Sequence, residues 1–101
     1  GKNRSPYSMV NEVNSIRIIV SGKVQGVYFR KYTLQKAREL GLTGEVMNLE
    51  DGAVSVQATG TTDQLNELIA FCRTGSGAAR VSGIQVETME YKKFTDFRII
   101  K

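Results

Sequence analysis

Two helical periodicities set among five runs of alternating apolar residues place this chain in the α+β class. The order is strand-helix-strand-strand-helix-strand, with one further short strand at the C-terminus. This is the split βαβ arrangement, a ferredoxin-like sandwich written βαββαβ plus a C-terminal edge strand. Short hairpins and right-handed crossovers then put both helices on one face of an antiparallel sheet. A chain of 101 residues has material for one core and not for two.

The first strand is expected over about residues 14–21, where Ile16, Ile18 and Val20 alternate with Ser15, Arg17 and Ile19. There follows the stretch Gly22-Lys23-Val24-Gln25-Gly26-Val27-Tyr28-Phe29-Arg30. From Phe29 onward, Phe29, Thr33, Ala37 and Leu40 recur at the spacing of one helix face. That helix is expected to run from Phe29 to Leu40 and to stop at Gly41, with Lys31, Lys36, Arg38 and Glu39 toward solvent. Residues 42–49 and 53–60 form the second and third strands around Glu50-Asp51-Gly52, because Asp-Gly between alternating runs supplies the positive φ of a tight hairpin. In the third strand Val54, Val56 and Ala58 alternate with Ser55, Gln57 and Thr59, which predicts one buried face and one wet face. Thr61 and Gln64 have the spacing of a capping box, and Leu65, Leu68, Ile69 and Cys72 mark the buried stripe of the second helix. Gly75-Ser76-Gly77 closes it. Residues 80–91 are a fourth strand with Ile84 and Val86 on one face, and residues 94–100 a last short strand at an edge.

Residues 13–101 are expected to form the single domain, and residues 1–12 a disordered N-terminal extension or an expression remnant. Gly1 to Ser8 lacks the apolar core of a secretion signal, and Lys2 and Arg4 follow no pattern. Without those two cations the formal charge of +4 halves. The remaining excess suits an anionic substrate and gives no reason to expect nucleic acid. No apolar run approaches the roughly 20 residues a helix needs to cross a bilayer, so no membrane association is expected.

The chain has no His and one Cys, Cys72. Serine and cysteine hydrolase machinery built on His is thereby excluded, and the donor set for zinc and most transition metals is missing. No metal and no cofactor is expected. A lone thiol makes no internal disulfide, which fits a cytoplasmic setting. Cys72 lies on the apolar stripe of the second helix and is expected in the core. A metal-carrying relative of this fold would need a Cys pair in the first loop, and Gly22–Arg30 has none. An RNA-recognition module would stack bases on aromatics of its central strands, and AVSVQATG, the third strand, has no aromatic.

The stretch Gly22–Arg30 sits where a strand hands over to a helix. The first helical amides there have no partner within the helix, and the helix dipole favours negative charge. Two glycines, Gly22 and Gly26, let the backbone curl around a small anion. Arg30 adds a planar fork of donors that fits phosphate or carboxylate, and a cation at a helix start needs a compensating anion. By its physics this is an oxyanion cradle. Asn48, near the end of the second strand, is either a turn-bonding residue or a neighbour of the cradle, since the end of that strand can lie beside the first loop.

GKVQGVYFR resembles the loop of the acylphosphatases, in which a glycine, Val-Gln-Gly-Val and an Arg follow the first strand. A second pattern of that family stands downstream in order: Gly44-Glu45-Val46-Met47-Asn48, then Asp51-Gly52-Ala53-Val54, then Gly60. The resemblance covers roughly residues 13–100. It implies the same fold with the extra edge strand. It also implies a metal-independent enzyme that hydrolyses the carboxyl-phosphate bond of small acyl phosphates to carboxylate and inorganic phosphate. By resemblance Arg30 matches the phosphate-binding arginine, and the amides of Gln25, Gly26, Val27 and Tyr28 match the phosphate cradle. The Gln25 side chain is expected to help hold the loop's shape. Asn48 matches the catalytic asparagine that orients the attacking water. An amide is no useful base at neutral pH, so the substrate phosphate itself would take the proton.

The implied partners are the acyl phosphate and inorganic phosphate, and a monomer is expected. Three departures from the family pattern bear on loop rigidity and strand packing. Glu45 stands where an aromatic or other bulky residue is usual, Glu50 replaces a common proline, and Gly75-Ser76-Gly77 replaces the usual Gly-Pro. Two other readings stand beside the hydrolase. One is an acylphosphatase-like domain of a carbamoyl phosphate-handling hydrogenase maturation protein, and the other a non-catalytic phosphate-binding or interaction module.

Overall fold

The computed structural model describes residues 12–75 and 77–101, so the expected extension over residues 1–12 falls, Glu12 apart, outside the described residues. Along the chain come β1 (Val13–Lys23), α1 (Phe29–Leu40), β2 (Thr43–Asn48), β3 (Val54–Thr61), α2 (Thr62–Thr74), β4 (Arg80–Met89) and β5 (Phe97–Ile100). The five strands make one sheet in the order β4-β1-β3-β2-β5. β1 pairs antiparallel with β3 and β4, and β2 antiparallel with β3.

At the remaining edge the expected antiparallel sheet is mixed, because β5 runs parallel to β2. The reason is topological. β4 and β5 lie on opposite edges, so the chain crosses the sheet at one end and can only return in the direction that β2 already takes. This crossing also shortens the last strand to Phe97–Ile100. Ahead of β5 the backbone is engaged elsewhere: Lys92 N donates to Ser15 Oγ at 2.9 Å, and Asp96 O accepts from Gly44 N at 2.9 Å.

The alternating residues of the strands build the core. Ile16, Ile18 and Val20 of β1 and Val54, Val56 and Ala58 of β3 pack with Val46 of β2 against Phe29 and Ala37 of α1 and Leu65, Leu68 and Cys72 of α2. Both helices therefore lie on one face. Register aligns Val86, Ile18, Val56, Val46 and Ile99 in one row across all five strands. Phe29 and Phe71 stack with ring centroids 6.4 Å apart and tie the two helices together.

The helix ends follow the sequence closely. Gln64 N donates to Thr61 Oγ1 at 3.3 Å while Thr61 N donates to Gln64 Oε1 at 2.8 Å, completing the capping box. The bonds from Gly41 N to Arg38 O and from Leu42 N to Ala37 O close α1. Of the four charged residues expected in solvent on α1, Lys31, Arg38 and Glu39 are exposed and Lys36 is half-buried. Arg38 nevertheless reaches β5, donating from Nη2 to Phe97 O at 3.1 Å.

One expectation about strand faces is corrected. The face of β3 expected to be wet is largely buried, with Ser55 only 3% and Thr59 only 6% exposed. The crossing to β5 covers one end of it, where Thr59 Oγ1 donates to Lys92 O at 2.7 Å and lies against Ser15 Oγ. On β4, Ile84 is half-buried but Val86 is 41% exposed. β4 is an edge strand, so it has a neighbour on one side only. Among the described residues no helix is long and apolar enough to cross a membrane.

Candidate active site

Because β1 and β2 both run antiparallel to β3, and β5 runs parallel to β2, the C-terminal ends of β1, β2 and β5 point the same way. The loop Val24–Tyr28 leaves the first of these ends, Asn48 closes the second, and Lys101 follows the third. Three distant parts of the chain thus meet at one end of the sheet.

The β1 end is irregular, with a register shift against β4 between Ser21 and Gly22. A Cβ on Gly22 would stand 2.2 Å from Arg80 O, so this glycine answers the close approach of β4. Its φ of 123° is positive, as is that of Gly26, 76°. Two residues on, Tyr28 has φ 64°, the one non-glycine residue with positive φ among those described, and Val27 between them keeps φ negative. Alternation of this kind turns successive N–H groups toward one concave side. Holding a tyrosine there is costly, and such strain gathers where a site needs it.

Tyr28 is also the N-cap of α1, and its side chain makes no capping bond. The first turn of α1 holds no acidic residue of its own. Arg30 stands in that turn, half-buried, and forms no ion pair among the described residues. A cavity of about 400 Å³ opens here, and Gly26, Tyr28, Arg30, Lys31, Ile99 and Lys101 are on its wall. Tyr28 is 73% exposed at its lip.

The remaining expected site residues are placed differently. Val27 packs partly buried against the core. Gln25 turns its side chain to the β2–β3 hairpin, where Nε2 donates to Leu49 O and to Ala53 O, both at 2.8 Å. Asn48 is not on the cavity wall, yet its neighbour Leu49 is one of those two acceptors. The Asn48 Oδ1 is buried and meets no donor among the described residues. A buried acceptor without a partner forfeits a hydrogen bond that most such groups make.

Sequence reasoning did not place Lys31, Ile99 or Lys101 at the site. The signal for Ile99 and Lys101 lay in the direction of the last strand, which follows from strand order and not from composition. Cys72 takes no part: it is fully buried on α2, and burial pushes its thiol from an ordinary value of 9.0 up to about 12. Among the described residues no group of three or more His, Cys, Asp and Glu side chains could hold a metal ion.

The family model described as Acylphosphatase matches residues 16–99. An acylphosphatase of Methylococcus capsulatus is 42% identical over 87 residues, which are 85% of this chain and 95% of that protein. An acylphosphatase of Rhizorhabdus wittichii is 55% identical over 71 residues, covering 70% of this chain and 72% of that one. The structure of an acylphosphatase from Coxiella burnetii superposes with a TM-score of 0.85 at 40% identity, over 89% of this chain and 94% of that chain. The family model spans the strand-to-helix loop, Arg30 and the hairpin bearing Asn48, so the chain belongs to the acylphosphatase family.

Proposed function

We propose that this protein hydrolyses the carboxyl-phosphate bond of small acyl phosphates, using the loop after β1 as phosphate cradle. The observation that carries this is the pair of left-handed residues Gly26 and Tyr28 directly before α1, with Arg30 in its first turn. Membership of the acylphosphatase family supports the same chemistry.

In the mechanism that follows, the amides of Gln25, Gly26, Val27 and Tyr28 receive the phosphoryl oxygens. Arg30 adds a forked pair of charged donors. Phosphoryl transfer passes through a loose transition state with charge spread over the equatorial oxygens, so donors fixed beforehand are the main requirement. The side-chain amide of Asn48 hydrogen-bonds the attacking water and orients its lone pair at phosphorus. The water oxygen bonds to phosphorus as the bond to the acyl oxygen breaks. The electron pair leaves with the carboxylate, and the water proton passes to a phosphoryl oxygen. A carboxylate is a good leaving group, so no general acid is required. The acyl portion lies in the cavity toward Ile99 and Lys101.

We read residues 13–101 as one domain, supported by a single buried cluster from Ile16 to Phe97. A cytoplasmic monomer completes the reading; the lone buried thiol fits that setting, and sedimentation tests the monomer. The decisive experiment is steady-state hydrolysis of benzoyl phosphate by the purified chain, with and without chelator. Turnover in both is expected. No hydrolysis would overturn the proposed activity, and loss under chelator restored by a divalent ion would overturn its metal independence.

A further inference from the structure

We infer that Gln25 is a positioning residue, whose side chain holds the phosphate cradle and the Asn48 end of the hairpin as one unit. The inference rests on the cradle and water roles proposed above.

The two carbonyls that Gln25 reaches are the pair that close the hairpin turn. Ala53 O already accepts from Leu49 N at 2.8 Å, and Leu49 O accepts from Gly52 N at 3.2 Å. Gln25 Nε2 adds a second bond to each, across sequence separations of 24 and 28 residues. A primary amide has two N–H groups, and both are spent here. None is left for a phosphate, and Oε1 as an acceptor would repel one. The contribution of Gln25 to the anion therefore comes from its backbone amide, and its side chain does something else.

Asn48 is where that matters. It forms the last β2–β3 pair, with Val54. One residue beyond each member of that pair, at Leu49 and at Ala53, stands a carbonyl that Gln25 holds. No donor among the described residues fixes Asn48 Oδ1. The direction of the water-binding amide is then set by the backbone beside it, and Gln25 references that backbone to the loop that carries the phosphate. A misplacement of about 1 Å between such groups can cost on the order of a hundredfold in rate.

The test compares Gln25→Met, of similar shape but without donors, with Gln25→Glu, which turns the donor into an acceptor. Both turn carbonyls keep their backbone bonds in either variant, so the fold is expected to persist, checked by circular dichroism. In Gln25→Met, kcat for benzoyl phosphate should fall on the order of tenfold while inhibition by inorganic phosphate stays within about threefold. In Gln25→Glu a carboxylate faces two carbonyl oxygens at neutral pH, so its pKa is raised and kcat falls at least as far. As pH drops through that raised pKa, the acid gains one O–H donor, and kcat relative to wild type at the same pH should recover. A purely structural loss would not show that recovery.

Unchanged kcat in Gln25→Met, parallel loss of kcat and phosphate affinity, or a Gln25→Glu ratio that is flat with pH would each overturn the inference. If the wild type bound phosphate without hydrolysing benzoyl phosphate, the proposed activity would fall but the coupling would still be read by NMR. Phosphate should then shift the Asn48 side-chain amide in the wild type and not in Gln25→Met, and an equal response in both would overturn the coupling. A wild type that neither hydrolysed benzoyl phosphate nor bound phosphate would overturn both.

Discussion

In the proposed mechanism Arg30 binds the phosphoryl group and Asn48 the attacking water, so their substitutions should separate cleanly. Arg30 binds charge that exists in the substrate, the transition state and the product alike, so Arg30→Ala should weaken both phosphate inhibition and turnover. Asn48 acts on the water, so Asn48→Ala should leave phosphate inhibition nearly unchanged while kcat falls on the order of a hundredfold or more. Inhibition constants and kcat for the two variants decide it; equal loss of phosphate affinity in both would contradict the division. Gly26 offers a second test. An added Cβ there meets nothing within 4 Å beyond its own chain neighbours, so Gly26→Val should fold, at a backbone cost of about 1 kcal/mol for a side chain at φ 76°. Phosphate titration by NMR should show binding lost in that variant, whereas Lys23→Ala changes affinity only a few-fold, since an exposed charge is screened. The positive φ of Gly26 was legible because residue type itself reports it. The left-handed Tyr28 was not, because nothing about a tyrosine announces positive φ; the surrounding turn imposes it.

Among the elements, both helices could be read to within a residue, as periodicity, the Thr61–Gln64 box and Gly41 all act over three or four positions. The second face of β3 could not be read, since what covers Thr59 arrives 33 residues later in the chain. That contact has a measurable weight. Thr59→Val keeps the shape and removes the hydroxyl that donates to Lys92 O, so it should cost about 1–2 kcal/mol, seen as a lower urea midpoint. Faster hydrogen exchange at Gly44 N, whose acceptor Asp96 O lies on the same crossing, should accompany it. An unchanged midpoint would mean that the bonds from Lys92 N to Ser15 Oγ and from Gly44 N to Asp96 O hold the crossing without this one.

For the molecule as a whole, the buried thiol sets a pH limit. Cys72 titrates near 12 when folded and near 9.0 when free, so burying its neutral form stabilises the fold fully below about pH 9. Stability should then decline as pH rises from 9 toward 12, measured as the urea midpoint against pH. Under native conditions at pH 8 a disulfide reagent should leave Cys72 unlabelled until denaturant is added; rapid labelling of the folded protein would refute this. The convergence of three strand ends has a further consequence, for refolding. Helix α1 can form locally within microseconds, but the complete proposed site needs β2 and β5 in place, the latter some seventy residues after the cradle loop. Catalysis is thus a late reporter of folding: after dilution from urea, helical signal should return first, and turnover only with the slowest phase.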